Sequence, residues 1–167
     1  MKTTNLYFAQ IFFVLAVMLS VGCKSKKQVT RTNDRITKVN TFAFDFLESP
    51  TLIPILDRAI DEDKLIFVDI YTSWCLPCKM MDKDVFSHQE TANVINKDFI
   101  SYKVNGEKLN GPDLTAIFEV SSYPTLLFLD TKGRVLAKKS GLAYHTELLA
   151  LAQSAKDKYD WDRNQLN

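Results

Sequence analysis

The sequence predicts an α/β domain in which a central mixed β-sheet is flanked by helices on both faces. Three observations support this fold class. A continuous apolar run, typical of a buried strand, leads directly into a helix; another strand follows; and two late strands joined by a tight turn form a hairpin before a closing helix. The 167 residues provide for one domain with a single core.

The early elements follow a polar segment. Residues 24–40 are rich in polar side chains and lack apolar periodicity, so we interpret them as a tether. Apolar residues then recur at helical spacing over Ser49–Asp61, which predicts a helix packed on the core. Its apolar face consists of Leu52, Ile55, Leu56, Ala59 and Ile60. The run Leu65–Tyr71 is the predicted central strand.

The later elements alternate in type. A helix is expected to end near Val85, and Ser87 with Glu90 forms a predicted capping box for a second helix that ends near Asp98. A strand, a short helix, a hairpin and a closing helix complete the domain. Their predicted bounds are Phe99–Val104, Pro112–Phe118, Thr125–Asp130, Arg134–Lys139 and His145–Lys158, and residues 159–167 form a polar tail.

Charge excludes one class of function. The chain has 21 Lys and Arg residues against 20 Asp and Glu residues, and the basic residues are scattered along the sequence. Because nucleic-acid binding requires a basic patch or stripe, no nucleic-acid partner is expected. Nothing in the pattern indicates self-association, so we expect a monomer.

The N-terminal segment has the features of an export signal. Met1 and Lys2 precede a largely apolar run, Leu6–Leu19, which is shorter than the roughly 20 residues that a membrane-spanning helix needs. Small residues and Cys23 follow this run. An ordinary cleaved signal and an uncleaved anchor are the alternatives, and every version places the domain outside the cytoplasm.

The run Trp74–Lys79 carries two cysteines separated by two residues, directly after the predicted central strand. If Pro77 lies in the first turn of a helix, Cys75 sits at the helix N-terminus, where unpaired backbone N–H groups favour a thiolate. We therefore expect Cys75 to be the attacking sulfur. Cys78, one turn further in, is expected to be more buried and to resolve the mixed disulfide that Cys75 forms with a substrate.

Two other uses of the cysteine pair are open. A zinc site would need a second ligand pair, and Cys23, His88 and His145 are not spaced as one. A static structural disulfide would close only a very small loop and would remove little entropy from the unfolded chain.

The run Trp74–Lys79 is similar to the active-site run of thioredoxins, with Leu76 where those proteins usually carry glycine. The resemblance covers about Phe42–Ala155 and implies a thioredoxin-like fold and a thiol-disulfide oxidoreductase. It implies no external cofactor, because the redox-active disulfide Cys75–Cys78 itself carries the electrons. Trp74 would cover the cysteine pair.

Further residues match the family at suitable distances from the dithiol. Asp69 falls where thioredoxins keep a buried acid beneath the resolving cysteine, and a desolvated carboxylate there can accept and return the Cys78 proton. Tyr123-Pro124 matches the segment in which the proline is cis and contacts substrate. The alternatives are a structural Asp69 and an ordinary trans proline.

Two weaker matches complete the predicted site. Lys103 sits where thioredoxins have a lysine that pairs with the buried acid, although a solvated surface lysine is an equal alternative. Gly141 matches a glycine that leaves the substrate groove open, and it can equally be turn punctuation.

The segment from Lys79 to Ser87 resembles the exported thiol:disulfide interchange type, which includes the periplasmic C-terminal domain of the transmembrane thiol:disulfide reductase. The N-terminus resembles a bacterial lipoprotein signal, cut before a lipidated Cys23, although Ser20 stands where that motif usually has leucine. These resemblances imply a signal peptide over 1–22, a tether over 23–40 and a thioredoxin-like domain over 41–158.

The implied protein is a periplasmic lipoprotein that reduces disulfides in protein substrates and receives electrons from a membrane carrier of the thiol:disulfide type. Proline between the cysteines and a buried acid resemble the reducing members of the family. The alternatives are a disulfide donor or isomerase, a thiolate-based module that binds and delivers copper, and a non-catalytic adaptor.

Overall fold

The computed structural model describes residues 36–39 and 41–165. The predicted signal peptide, Cys23 and most of the predicted tether lie outside the described residues. Eleven elements follow one another in this part of the chain. They are β1 (Thr37–Lys38), β2 (Leu47–Glu48), α1 (Ile53–Asp61), β3 (Leu65–Tyr71), α2 (Leu76–Asp84), α3 (Gln89–Asp98), β4 (Phe99–Asn105), α4 (Gly111–Ile117), β5 (Thr125–Leu129), β6 (Val135–Ser140) and α5 (His145–Gln165).

The strands form one mixed sheet in the order β1-β2-β4-β3-β5-β6. The central strand β3 pairs in parallel with β4 along its whole length, from Leu65 opposite Phe99 to Tyr71 opposite Asn105. On its other side β3 pairs antiparallel with β5, and β5 forms the predicted hairpin with β6. The predicted α/β class with a central mixed sheet is confirmed.

The two faces of the sheet differ in composition. Side chains alternate between faces along each strand, and each face has its own buried cluster. We call them the aromatic face and the aliphatic face. From β3, β4 and β5, the cluster on the aromatic face takes Leu65, Phe67, Phe99, Leu126 and Phe128, and α2, α3 and α5 pack there. The cluster on the aliphatic face takes Ile66, Val68, Ile70, Ile100, Tyr102, Val104, Leu127 and Leu129, and α1 and α4 pack there.

The segment Phe42–Phe46, which we call the aromatic strap, crosses the aromatic face before the central strand begins. The backbone N–H groups of Ala43 and Phe44 both donate to the carbonyl of Phe86, at 3.0 and 3.2 Å. Phe86 lies between α2 and α3, so the strap is attached where the helical ladder is interrupted.

Two predicted boundaries and one predicted buried residue are wrong. Helix α1 begins at Ile53 instead of Ser49, because Pro54 occupies its first turn, where a missing N–H costs nothing. Ile60, predicted on its buried face, is 60% exposed. Helix α5 continues to Gln165 instead of ending near Lys158, because the polar residues that follow contain no helix breaker.

The predicted start of α3 is wrong as well. The N-cap is His88, whose Nδ1 accepts the Thr91 N–H, and the predicted cap residue Ser87 instead donates through Oγ to the carbonyl of Asp82 at 2.8 Å. Strand β1 was not predicted, since its two residues lie in the segment assigned to the tether. It exists through backbone pairing with β2, a contact that leaves no periodicity in so short a segment.

Candidate active site

The two cysteines lie at the start of α2 and form a disulfide with an S–S distance of 2.11 Å. Cys75 is the N-cap of α2, with an extended backbone, and its Sγ accepts the Cys78 backbone N–H at 3.1 Å. Pro77 lies in the first turn of the helix, as the sequence predicts. A thiolate at Cys75 would therefore face the unpaired N–H groups at the positive end of the helix.

Burial does not distinguish the two cysteines. Cys75 is 3% exposed and Cys78 is 2% exposed, so the expectation that Cys78 is clearly more buried is not met in this disulfide form. The distinct roles predicted for the two sulfurs depend instead on the N-cap position of Cys75.

A buried ion pair lies on the aromatic face beside the dithiol helix. Asp69 and Lys103 are register partners on the parallel strands β3 and β4, so their side chains point to the same face. The Lys103 ammonium donates to Asp69 Oδ2, and it also donates to Asp82 Oδ1 at 2.8 Å. Lys103 is only 5% exposed, so the alternative of a solvated surface lysine is wrong.

The second carboxylate oxygen of the pair is unusual. Asp69 Oδ1 is buried and has no hydrogen-bond partner among the described residues. A buried polar atom without a partner is costly, so each such atom calls for an explanation. Within the described residues, Asp69 Oδ1 is thus an open acceptor position on the face where the dithiol helix packs.

Burial and neighbouring charges together set the pKa values of Asp69 and Lys103. Burial raises the pKa of the Asp69 carboxyl above its ordinary value, and the attraction of Lys103 offsets only part of this effect. Burial alone would lower the pKa of Lys103, but the carboxylates of Asp69 and Asp82 outweigh it and raise that pKa. Lys103 therefore stays protonated, whereas Asp69 is closer to taking up a proton than an exposed aspartate.

Asp82 was not identified from the sequence. It lies on α2, four residues after Cys78, and therefore on the same side of that helix. Its carboxylate is the second acceptor for Lys103, and its charge contributes to the raised pKa of Asp69. The four-residue spacing from Cys78 was the sequence signal that could have identified Asp82.

The predicted substrate-contact residues lie together at the active-site end of the sheet. The Tyr123–Pro124 peptide bond is cis, as the sequence predicts. The backbone N–H of Gly141 donates to the Pro124 carbonyl at 2.7 Å, and Gly141 has a φ of +85°, a conformation that favours glycine. The structure therefore joins Pro124 and Gly141 directly.

Trp74 is held from the side. It is 65% exposed, its Nε1 donates to Glu107 Oε1 at 3.0 Å, and its ring meets the Tyr123 ring edge-on at 5.9 Å. Glu107 and the neighbouring Gly106 were not identified from the sequence. A Cβ atom at Gly106 would lie 2.7 Å from the Tyr123 hydroxyl, so only glycine lets this tyrosine take its place.

The two histidines pair with each other instead of approaching as separate ligands. The rings of His88 and His145 lie 4.3 Å apart, and Thr91 Oγ1 is 3.1 Å from Nδ1 of His88 and 3.0 Å from Nδ1 of His145. Sequence spacing gave no sign of this pairing. Among residues 36–39 and 41–165, no group of three or more His, Cys, Asp or Glu side chains is arranged to hold a metal ion.

The described residues also include no helix that is both long enough and apolar enough to cross a membrane. This finding concerns only the part of the chain that the structure describes. The predicted signal peptide and the lipidation of Cys23 remain expectations.

Comparison with known proteins identifies the family. A family model described as "Thioredox_DsbH: Protein of unknown function, DUF255" matches residues 53–139. Thioredoxin-1 of Saccharomyces cerevisiae is 41% identical over 87 residues, which cover 51% of this chain and 76% of that protein. The thiol:disulfide interchange protein DsbD of Pseudomonas fluorescens is 29% identical over 94 residues, which cover 54% of this chain but 16% of DsbD.

A solved structure is similar over a larger part of the chain. The solution structure of a candidate disulphide-isomerase from Bacteroides thetaiotaomicron is 36% identical, with a TM-score of 0.62, and the match covers 70% of this chain and 96% of that one. The matched relatives and the paired cysteines at the start of α2 agree on one chemistry. The chain belongs to the thioredoxin-like family, and it is a thiol-disulfide oxidoreductase.

Proposed function

We propose that this protein is an exported, membrane-tethered reductase that opens disulfides in periplasmic proteins. The observation that carries the proposal is the position of Cys75 Sγ at the N-terminus of α2, within 3.1 Å of the Cys78 N–H. A thiolate formed there keeps this donor and is stabilised by the positive end of the helix. Cys75 is therefore the attacking sulfur and Cys78 the resolving one.

The reaction transfers two electrons from the dithiol to the substrate. The Cys75 thiolate attacks one sulfur of a substrate disulfide, the substrate S–S bond breaks, and the departing sulfur leaves as a thiolate. Cys78 then loses its proton and attacks Cys75 Sγ, which releases the second substrate sulfur. The products are a reduced substrate and the Cys75–Cys78 disulfide.

Asp69 is the proposed acceptor of the Cys78 proton. Its Oδ1 has no hydrogen-bond partner in the part of the chain that the structure describes, and burial raises the pKa of its carboxyl group toward that of the thiol. Lys103 occupies the other oxygen and keeps the carboxyl group in one orientation. When the disulfide is reduced again, Asp69 returns the proton.

The substrate segment is proposed to bind as an added strand. The backbone of Tyr123, beside the cis proline, supplies the polar edge, while Trp74 and Gly141 border the groove. Backbone hydrogen bonds of this kind select an extended segment without selecting its side chains.

The proposed location rests on the N-terminal sequence. A basic start, an apolar run and Cys23 support export and lipidation, with residues 23–40 as the tether of the 41–158 domain. Similarity to a segment of DsbD supports a membrane carrier of the thiol:disulfide type as electron donor, and disulfide-bearing proteins as substrates. The protein is proposed to act as a monomer.

The reduction potential of the Cys75–Cys78 pair tests the direction of electron flow. The purified protein is equilibrated against glutathione or dithiothreitol buffers, and the fraction of disulfide is measured. A reductase is expected to have a potential near about −270 mV, the value for thioredoxin, whereas a potential near about −120 mV, the value for DsbA, would overturn the assignment.

A disulfide donor or isomerase is the second candidate. The similarity to the Bacteroides thetaiotaomicron protein, which is named as a candidate disulphide-isomerase, favours it. An isomerase is expected at an intermediate potential, near about −180 mV, and should rescue a scrambled substrate without a net change in its disulfide count.

A further inference from the structure

The buried ammonium of Lys103 is surrounded by aromatic rings as well as by carboxylates. The distances from its Nζ to the ring centroids are 4.5 Å for Tyr71, 4.9 Å for Phe86, 5.1 Å for Phe46 and 5.3 Å for Phe42. All four lie within the range of a cation–π interaction, which is about 6 Å. We call these four rings the lysine cage.

The cage replaces the water that an exposed ammonium would have. An ammonium has three N–H donors, and the carboxylates of Asp69 and Asp82 accept two of them. The negative faces of the rings meet the remaining positive surface. A desolvated contact of this kind stabilises the charged form without adding a further negative charge beside Asp69.

Two of the four rings belong to the aromatic strap, and the strap is fixed independently of Lys103. Asn96, on α3, holds the strap through two hydrogen bonds. Its Oδ1 accepts the Asp45 N–H at 3.0 Å, and its Nδ2 donates to the Ala43 carbonyl at 3.1 Å. The strap lies upstream of residues 53–139, which the family model matches. The family-model match therefore does not describe the strap.

We propose that Phe42 and Phe46 are positioning residues for the dithiol chemistry: the aromatic strap holds the Lys103 ammonium against Asp69 and thereby sets the pH range in which Asp69 can accept the Cys78 proton. This inference rests on the proposed role of Asp69. Lys103 also lines an open cavity of about 230 Å³ beside Glu48 and Lys108, which gives the ammonium a place to move if the cage is weakened.

Several other charged and titratable groups lie near the Lys103 ammonium. Asp69 and Tyr71 approach from β3, Asp82 from α2, and Glu48 acts on this region from β2. Burial raises the pKa of Tyr71, so it stays neutral. Asp45, the acidic residue of the strap, pairs with Lys38 at 2.6 Å.

The sign of the effect follows from Coulomb attraction. Weakening the cage lets the ammonium move toward water, so Asp69 loses part of the attraction that lowers its pKa, while its burial is unchanged. Asp69 then stays protonated to a higher pH. The inflection in the reaction rate that depends on an ionised Asp69 therefore moves upward.

The experiment compares ring removal inside and outside the lysine cage in the full chain. Phe42→Leu removes a ring of the lysine cage, whereas Phe99→Leu removes a buried ring of the aromatic face that meets the Phe128 ring at 5.2 Å and is not part of the cage. The rate at which the reduced protein reacts with an insulin disulfide is measured against pH. Phe42→Leu should raise the inflection by about 0.5 to 1 pH unit, Phe42→Tyr should keep it at its original pH, and Phe99→Leu should leave it in place.

Asp69→Asn separates this inference from the proposed function. If the inflection disappears in Asp69→Asn and moves in Phe42→Leu alone, both proposals are supported. If it disappears in Asp69→Asn but stays unmoved in Phe42→Leu, the inference about the strap fails and the proposed role of Asp69 stands. If Asp69→Asn leaves the pH profile unchanged, the proposed role of Asp69 fails, and the inference about the strap fails with it. Equal shifts in Phe42→Leu and Phe99→Leu would overturn the inference, because they would indicate a general loosening of the aromatic face.

Discussion

The two faces of the sheet each bury an apolar cluster, but the clusters differ in composition and in the charges they hold. The aliphatic face is filled mainly with Ile, Val and Leu side chains, and the hydroxyl of its buried Tyr102 donates to the carbonyl of Ser49. The aromatic face holds the buried charges of Asp69 and Lys103 and most of the phenylalanines. The aliphatic face thus holds no buried ion pair among the described residues, whereas the aromatic face combines packing with buried charge.

The difference shows how a charge can be kept inside this core. Aliphatic side chains offer a buried ammonium nothing, whereas an aromatic ring presents a negative face and fills the same volume. Tyr71 lies on the same face as the ion pair because it occupies an alternate position on β3, whereas the strap and the link between α2 and α3 bring the other three rings to it. In this sheet, the aromatic composition of one face is therefore consistent with the buried charge that it holds.

The largest effect is expected from substitution of the two cysteines. Cys75→Ser should reduce disulfide reduction to the uncatalysed rate, because the attacking sulfur is gone. Cys78→Ser should also abolish turnover, but it should accumulate mixed disulfides through Cys75. Non-reducing gels of both variants after exposure to protein disulfides measure the difference. Equal amounts of conjugate from the two variants would contradict the assigned roles.

The next effect compares stability on the two faces. Lys103→Met should lower the free energy of unfolding by about 3–5 kcal/mol near neutral pH, because it leaves the Asp69 carboxylate buried without its partner. Ile66→Ala, on the aliphatic face, removes a fully buried side chain and should cost about 2–5 kcal/mol. Urea unfolding measures both.

The dependence on pH separates these two losses. The pKa of Asp69 is raised on folding, so its contribution to stability is fully present below its ordinary value of 3.8 and is lost as pH rises through the folded value. Removing Lys103 raises that pKa further, so the cost of Lys103→Met should grow as pH rises above the folded pKa of Asp69. The cost of Ile66→Ala should not change, and a parallel growth in both variants would contradict this account.

The smallest expected effect tests the start of α3, which packs on the aromatic face. His88→Ala removes the side chain that accepts the Thr91 N–H and should lower the free energy of unfolding by about 1 kcal/mol. Ser87→Ala, at the position where the sequence predicts the cap, should cost less, since it loses only an exposed bond to the Asp82 carbonyl. Thermal unfolding of both variants decides between the two caps, and a larger loss from Ser87→Ala would restore the predicted one.

Most of the fold could be predicted because its main elements have clear periodicity. The central strand has the predicted bounds, and the dithiol helix, β4, α4 and the hairpin are within one or two residues of theirs. The pairing of β1 with β2 and the course of the strap could not be predicted. They depend on backbone hydrogen bonds to partners far along the chain, and such contacts leave no local pattern.

The site was predictable where a residue has a fixed distance from the cysteines or a distinctive neighbour. Asp69 and Pro124 belong to this group, and the contact of Lys103 with Asp69 follows from the parallel register. Asp82 and Glu107 were missed because a single acidic residue on an exposed helix or loop is normally solvated. Only the tertiary structure shows that they contact Lys103 and Trp74.

The attachment of the strap has a consequence for motion. The amides of Ala43 and Phe44 share a single acceptor, the Phe86 carbonyl, which lies in the gap between two helices. Because both amides donate to the same carbonyl, any local opening that separates the strap from Phe86 should expose them together. The hydrogen-exchange rates of the Ala43 and Phe44 amides would then measure how often the strap moves away from the lysine cage, separately from global unfolding.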